Sequence, residues 1–258
     1  MTYPGSVPTT TGPTPAERAY RNGHGDADGD VWRERTRLVL TPIAAPSILG
    51  LFGFAGATFI VASYLAGWYG NDSTPFYLFP FALFFGGLAQ LIAGLYAYRA
   101  RDGLATAMHG MWGAFWLAWG SLYLLAATGA ITVPKGANFT EMGFWFIALA
   151  AITWLGAIAA LRVNVALFLV LLLLAAGSTV AAVAFLAASG TTLQVAGYVL
   201  VGSAVVAWYT AGAMMLEGTF RTPVMPVGHL DPAHKDAPMR PTDVIEYPIG
   251  MPGAHAGQ

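Results

Sequence analysis

Six apolar runs, at about 48–67, 76–98, 105–128, 141–161, 164–187 and 194–217, constrain this chain more than any motif in it. Each is close to the roughly 20 residues that an α-helix needs to cross the hydrocarbon core of a bilayer. Backbone polar groups have no water to bond there, so the runs must be helical. Only 10% of the residues are charged, against roughly 25% in a soluble domain. Nearly all of these charges lie before Leu38, in the connectors, or after Leu216. A soluble fold could not hide that much apolar surface. The expectation is an all-α integral membrane protein with six transmembrane helices over 41–221. Disordered cytoplasmic tails are expected over 1–40 and 222–258, both rich in Gly and Pro.

The basic residues set the expected orientation. Arg33, Arg35 and Arg37 precede the first span, Arg99 and Arg101 follow the second, Arg162 follows the fourth and Arg221 the sixth. The opposite connectors hold Asn71, Asp72, the single Lys135 and the uncharged "ASGTTLQ". Both termini are therefore expected on the cytoplasmic side of a cell membrane. The first thirty residues contain no apolar stretch and do not read as a signal peptide.

Several function classes fall away. A net charge of −1 offers no basic field for nucleic acid. With no cysteine there is no disulfide, thiolate catalysis or cysteine-based metal site. His229 and His234 in "HLDPAHKD" lack further ligands and read as solvated tail, so no metal and no cofactor is expected. "NFT" at Asn138 matches a glycosylation acceptor in a connector too short to favour access. No Asp, Glu, Lys or Arg stands in the middle of a span, which argues against an ion pump. No carboxylate pair or Ser/His/Asp set sits at matching depth, which argues against an intramembrane enzyme.

The polar residues that do lie in the spans are the candidates for function. In "FFGGLAQLIAGLYAY", Gly86, Gln90, Gly94 and Tyr98 recur every four residues and share one helix face, with Gly87 beside it. Glycines so spaced admit a close neighbouring helix, and Gln90 can bond across to it or line a pore. Gly50, Gly53 and Gly56 repeat the small-residue theme in the first span. Pro46 precedes them, and Ser47 is expected to cap that helix. A helix start at the membrane edge offers N–H groups and a positive dipole end to a carboxylate. His109 in the third span is a candidate proton relay or an interhelical hydrogen-bond donor. Trp112, Phe115, Trp116 and Trp119 read as packing and interfacial residues.

Taken together, "FFGGLAQLIAGLYAY", "GMWGAFWL" and "AGYVLVGSAVVAWYTAGAMMLEGTFRTPVMPVG" resemble the acetate uptake transporter family, the succinate–acetate permeases or GPR1/FUN34/YaaH family. The resemblance runs from about Ala45 to Gly228. It implies a six-helix carrier or channel for acetate and related short carboxylates, coupled to protons and assembled as a homohexamer with a pore in each protomer. At the family's Asn-Pro-Ala-Pro-Leu-Gly-Leu motif, Pro46, Leu49, Gly50 and Leu51 match, whereas Ala45 replaces the asparagine and Ile48 the second proline, with Ser47 between them. Ala97 stands where the family tends to carry a glutamate. By position, Phe54, Trp112 (a tyrosine in most of the family) and Leu171 correspond to the apolar constriction. Such a gate, with no central cation, suits a neutral acid better than a bare carboxylate. The alternatives are a transporter of another small weakly acidic or neutral solute, or a sensor or scaffold that keeps the fold without the flux.

Overall fold

The computed structural model describes residues 43–132 and 139–228. The expectations that concern Arg33 to Arg37, Lys135, Asn138, His229 and His234 lie outside them. The described residues form α1 (Pro46–Leu65), α2 (Thr74–Phe81), a π-helix (Ala82–Ala89), α3 (Gln90–Arg99), α4 (Gly103–Ala127), α5 (Thr140–Ala160), α6 (Val165–Leu186) and α7 (Gly190–Phe220). α2, the π-helix and α3 run on as one span, Thr74–Arg99. Among the described residues, five spans are long and apolar enough to cross a membrane. The sixth, α4, is as long at 25 residues but carries His109 and three tryptophans. This is a multi-pass integral membrane protein, and it is all-helical among the described residues.

Local chemistry sets the boundaries. Asp102, Asn164 and Ser189 cap α4, α6 and α7 by accepting from the backbone N–H of Ala105, Leu167 and Thr192, which satisfies donors that each helix start leaves open. α1 begins differently. Its N-cap is Ala45, Pro46 occupies the first turn, and no side chain caps it. The expected capping role of Ser47 is therefore wrong: Ser47 already lies inside the helix, and its hydroxyl turns to a neighbouring span. Pro80 lies inside the second span and has no N–H to continue the ladder. Directly after it the chain winds as a π-helix through "ALFFGGLA".

The spans close into a ring. α7 packs between α6 and α1, α5 lies on the far side of α6, and the π-helix with α3 packs on both α1 and α4. α4 meets α5 along the thinnest seam, closing the circuit. Glycine makes the tightest crossings. A Cβ on Gly94 would fall 2.7 Å from the backbone nitrogen of Gly110, and one on Gly197 would fall 2.5 Å from that of Ala66. Neither neighbour can move aside, so α3 against α4 and α7 against α1 require a residue without a side chain. The other small residues sit at similar places: Gly53 and Gly56 against Phe85, Gly86 against Trp116 and Ala57, and Gly87 against Leu117.

The last residues described do not behave as the start of a tail. Residues 222–228 return to the beginning of α6, where Val165 and Ala166 donate to the carbonyls of Gly228 and Val227 at 2.9 and 3.0 Å. Tyr209 donates to the carbonyl of Pro226 at 2.7 Å, and Val227 is buried. With Asn164, this strap satisfies the first three N–H groups of α6. The boundary expected at Thr222 falls too early.

Candidate functional site

Inside the ring, at the end where α1 finishes and α7 starts, lies a cavity of about 340 Å³. Its walls include Tyr64, Tyr123, Phe146 and Phe185, and no charged residue or histidine lines it among the described residues. At its inner end stand Trp112, Phe115, Trp116, Leu174 and Leu200. An aromatic ladder climbs α4 along one wall: Trp112–Phe115 at 5.4 Å, Phe115–Trp116 at 5.0 Å, Trp116–Trp119 at 5.8 Å and Trp119–Tyr123 at 4.6 Å between ring centroids. These residues recur along α4 at i, i+3, i+4, i+7 and i+11, the spacing of one helix face, which here looks into the ring.

Trp112 is the floor. Its indole N–H donates to Thr153 Oγ1 at 3.0 Å, across the seam between α4 and α5. Thr153 in turn donates to the carbonyl of Leu149 at 2.6 Å. That chain fixes the ring, so the face it gives to the pathway is hydrocarbon. Beneath it Phe54 packs edge-on, with centroids 6.3 Å apart and planes at 70°. Phe54 and Leu171 are both buried in the same apolar cluster as Trp112. On α6 it is Leu174, one turn beyond Leu171, that reaches the cavity wall.

Below the floor the structure closes. His109 Nε2 and Ser47 Oγ lie 3.3 Å apart, joining α4 to the first turn of α1. The imidazole lies flat on Gly50, where a Cβ would meet its Cε1 and Nδ1 at 2.5 Å. His109 is only 5% exposed, and its Nδ1 has no partner. Gly50 and Leu51 are buried here, and Leu49 points outward. Gln90 is buried too, its side-chain oxygen lacks a partner, and it does not reach the cavity wall.

The structure thus places Phe54, Trp112 and Leu171 in one buried apolar cluster, and brings Ser47, Gly50 and His109 together beneath Trp112. Sequence reasoning counts Thr153 among the scattered hydroxyls of the spans without giving it a role, and does not find Leu174 or the cavity walls on α5 and α6. Between their ends α5 and α6 carry few polar side chains, Thr153 on one and Ser178 and Thr179 on the other, too few to mark the face that looks inward.

The sequence matches the GPR1/FUN34/yaaH family over residues 33–231. It is 26% identical over 190 residues to the succinate–acetate/proton symporter SatP of Escherichia coli strain K12, covering 73% of this chain and 97% of that protein. It is 25% identical over 199 residues to acetate permease A of Emericella nidulans, covering 72% of this chain and 66% of the permease. It is 27% identical to ammonia transport outward protein 2 of Saccharomyces cerevisiae over 172 residues, 66% of this chain and 61% of the yeast protein. The structure of the bacterial acetate channel SatP superimposes with a TM-score of 0.66 at 24% identity, covering 72% of this chain and 100% of that one. This last likeness speaks to the fold.

Proposed function

The chain belongs to the GPR1/FUN34/yaaH family, and on that premise we propose that it moves acetate and related short carboxylates, succinate among them, across a cell membrane together with protons. The observation that carries this reading is the cavity. It has room for a small acid, is lined without charge, and ends on an aromatic floor. A carboxylate stripped of water is costly in such a place, whereas the neutral acid is not. Crossing the plug as the acid moves one proton with each molecule, and a tight aromatic gate excludes bulkier anions.

In this scheme Phe54, Trp112 and Leu171 form the constriction. Pro46, Ser47, Leu49, Gly50 and Leu51 form the entrance at the other end, where His109 passes the proton. Gln90 supports the crossing of the second span. The symporter and permease among the relatives support the substrate class. The assembly is a homo-oligomer, a hexamer by analogy with the family, with both termini on the cytoplasmic side. No residue is assigned a catalytic role.

The test is uptake of labelled acetate by proteoliposomes holding the purified chain, with and without an inward proton gradient. Saturable uptake that rises severalfold with the gradient is the expected result. Saturable uptake indifferent to the gradient would replace symport by a channel. No uptake by folded protein would overturn the acetate reading.

A further inference from the structure

Threonines in the helices of this protein have a habit. Thr153, Thr179, Thr210 and Thr219 each donate to the carbonyl four residues back, at 2.6 to 2.8 Å. That is the usual refuge for a hydroxyl with no water to meet. Two of them then accept an indole N–H from another helix: Thr153 from Trp112 at 3.0 Å and Thr179 from Trp154 at 3.2 Å. Tryptophan to threonine to carbonyl is therefore the repeated solution to a polar group within these spans.

Thr58 and Trp116 break the habit. Thr58 lies mid-helix in α1 and is 4% exposed, yet its hydroxyl makes no hydrogen bond, not even to the carbonyl of Phe54. Trp116 is also 4% exposed, and its indole N–H has no acceptor. Both residues line the inner part of the cavity. They stand one turn above Phe54 and Trp112, on the same two helices that supply the plug. The pyrrole edge of Trp116 packs on Gly86 of the π-helix, beside Ala57 of α1: a Cβ on Gly86 would fall 2.5 Å from Trp116 Cδ1 and 2.7 Å from the Cβ of Ala57. An unsatisfied buried donor costs free energy; the Thr58 hydroxyl and the Trp116 N–H lie behind the surface of the cavity that their residues line, and a ligand toward which these side chains turn would satisfy both.

We propose that Thr58 and Trp116 form a two-point cradle for the carboxyl head of the transported acid, immediately above the aromatic floor. The chemistry matches in both protonation states. A carboxylate offers two oxygens, one to the Thr58 hydroxyl and one to the Trp116 N–H. A neutral acid donates its O–H to Thr58 Oγ1 while its carbonyl oxygen accepts from Trp116, since a hydroxyl can do either and an indole can only donate. The threonine side chain reaches the ligand by stepping between the rotamers open to it in a helix. The cradle would hold the acid, as carboxylate or as the acid already protonated from water, immediately before the plug. The inference rests on the acetate-transport reading.

The test compares the concentration dependence of acetate uptake by wild type with Thr58→Val and Trp116→Phe, which remove one donor each and keep most of the volume. Thr58→Ser retains the hydroxyl. Ser178→Ala removes a buried hydroxyl that is equally without a partner but lies off the cavity wall. KM should rise about tenfold in Thr58→Val and in Trp116→Phe, with the maximal rate within about twofold of wild type. Thr58→Ser and Ser178→Ala should stay near wild type. An unchanged KM in both donor variants, beside a saturable wild type, would overturn the cradle and leave transport standing. A wild type that takes up no acetate would remove both. If Trp116→Phe fails to fold, Thr58→Val decides alone, because valine keeps the shape of threonine.

Discussion

The two ends of the ring solve the same problem in opposite ways. At the end holding Leu65 and the start of α7, the spans separate around a cavity of about 340 Å³, and two of its lining residues, Thr58 and Trp116, hold buried polar groups without partners. At the end holding Pro46 and Arg99, the spans touch. Gly94 admits a backbone, Gly50 admits an imidazole, and the strap from Thr222 to Gly228 seals the start of α6. The difference teaches that access here is governed by packing volume rather than by charge. One missing Cβ closes an end, and one row of aromatic rings leaves the other open.

The sharpest way to break that contrast is to add volume at the closed end. Gly94→Ala puts a methyl group 2.7 Å from a backbone nitrogen, so thermal unfolding in detergent should show a loss of about 2–3 kcal/mol. Gly50→Ala strikes a side chain instead, and that cost should be largely recovered in the double variant Gly50→Ala/His109→Ala. Additive costs in the double-mutant cycle would mean that the two residues are not coupled. At the open end, Trp112→Phe removes the bond to Thr153 and should cost about 1 kcal/mol. It should also speed uptake of propionate relative to acetate. An unchanged ratio would move selectivity away from the floor. Tyr209→Phe frees the strap from one of its fasteners, and a loss of at most about 1 kcal/mol is expected. Limited proteolysis after Thr222 should quicken, and no change would show that the backbone bonds to α6 suffice. The smallest effect belongs to Ser47→Ala, since its contact with His109 is long at 3.3 Å. A few tenths of a kcal/mol is expected.

How much of this was legible in the sequence follows from what hydropathy measures. The spans were placed within about three residues at nearly every boundary, because a run of apolar residues is a one-dimensional signal read against a fixed bilayer thickness. Which side of each helix faces inward was not legible for α5 and α6, and so Thr153 had no role assigned and Leu174 went unnoticed. The second span was read as uniform. Pro80 hinted at a break, but winding five residues apart from Ala82 leaves no composition of its own. The pairing of Ser47 with His109 joins residues 62 apart, and a local rule made Ser47 a cap instead. The strap was missed because proline and glycine also mark disorder. Here they carry a segment whose carbonyls are spoken for by another helix.

That strap changes what the end of the chain is mechanically attached to. The polypeptide leaves α7 at Phe220, but by Gly228 it is bonded to the first turn of α6. Gly228 is thus moored to the helix that bears Leu171 as well as, through Pro226 and Tyr209, to the one that precedes it in sequence. A pull on Gly228 would therefore load the start of α6 and the α7 helix at Tyr209 together, rather than the end of α7 alone.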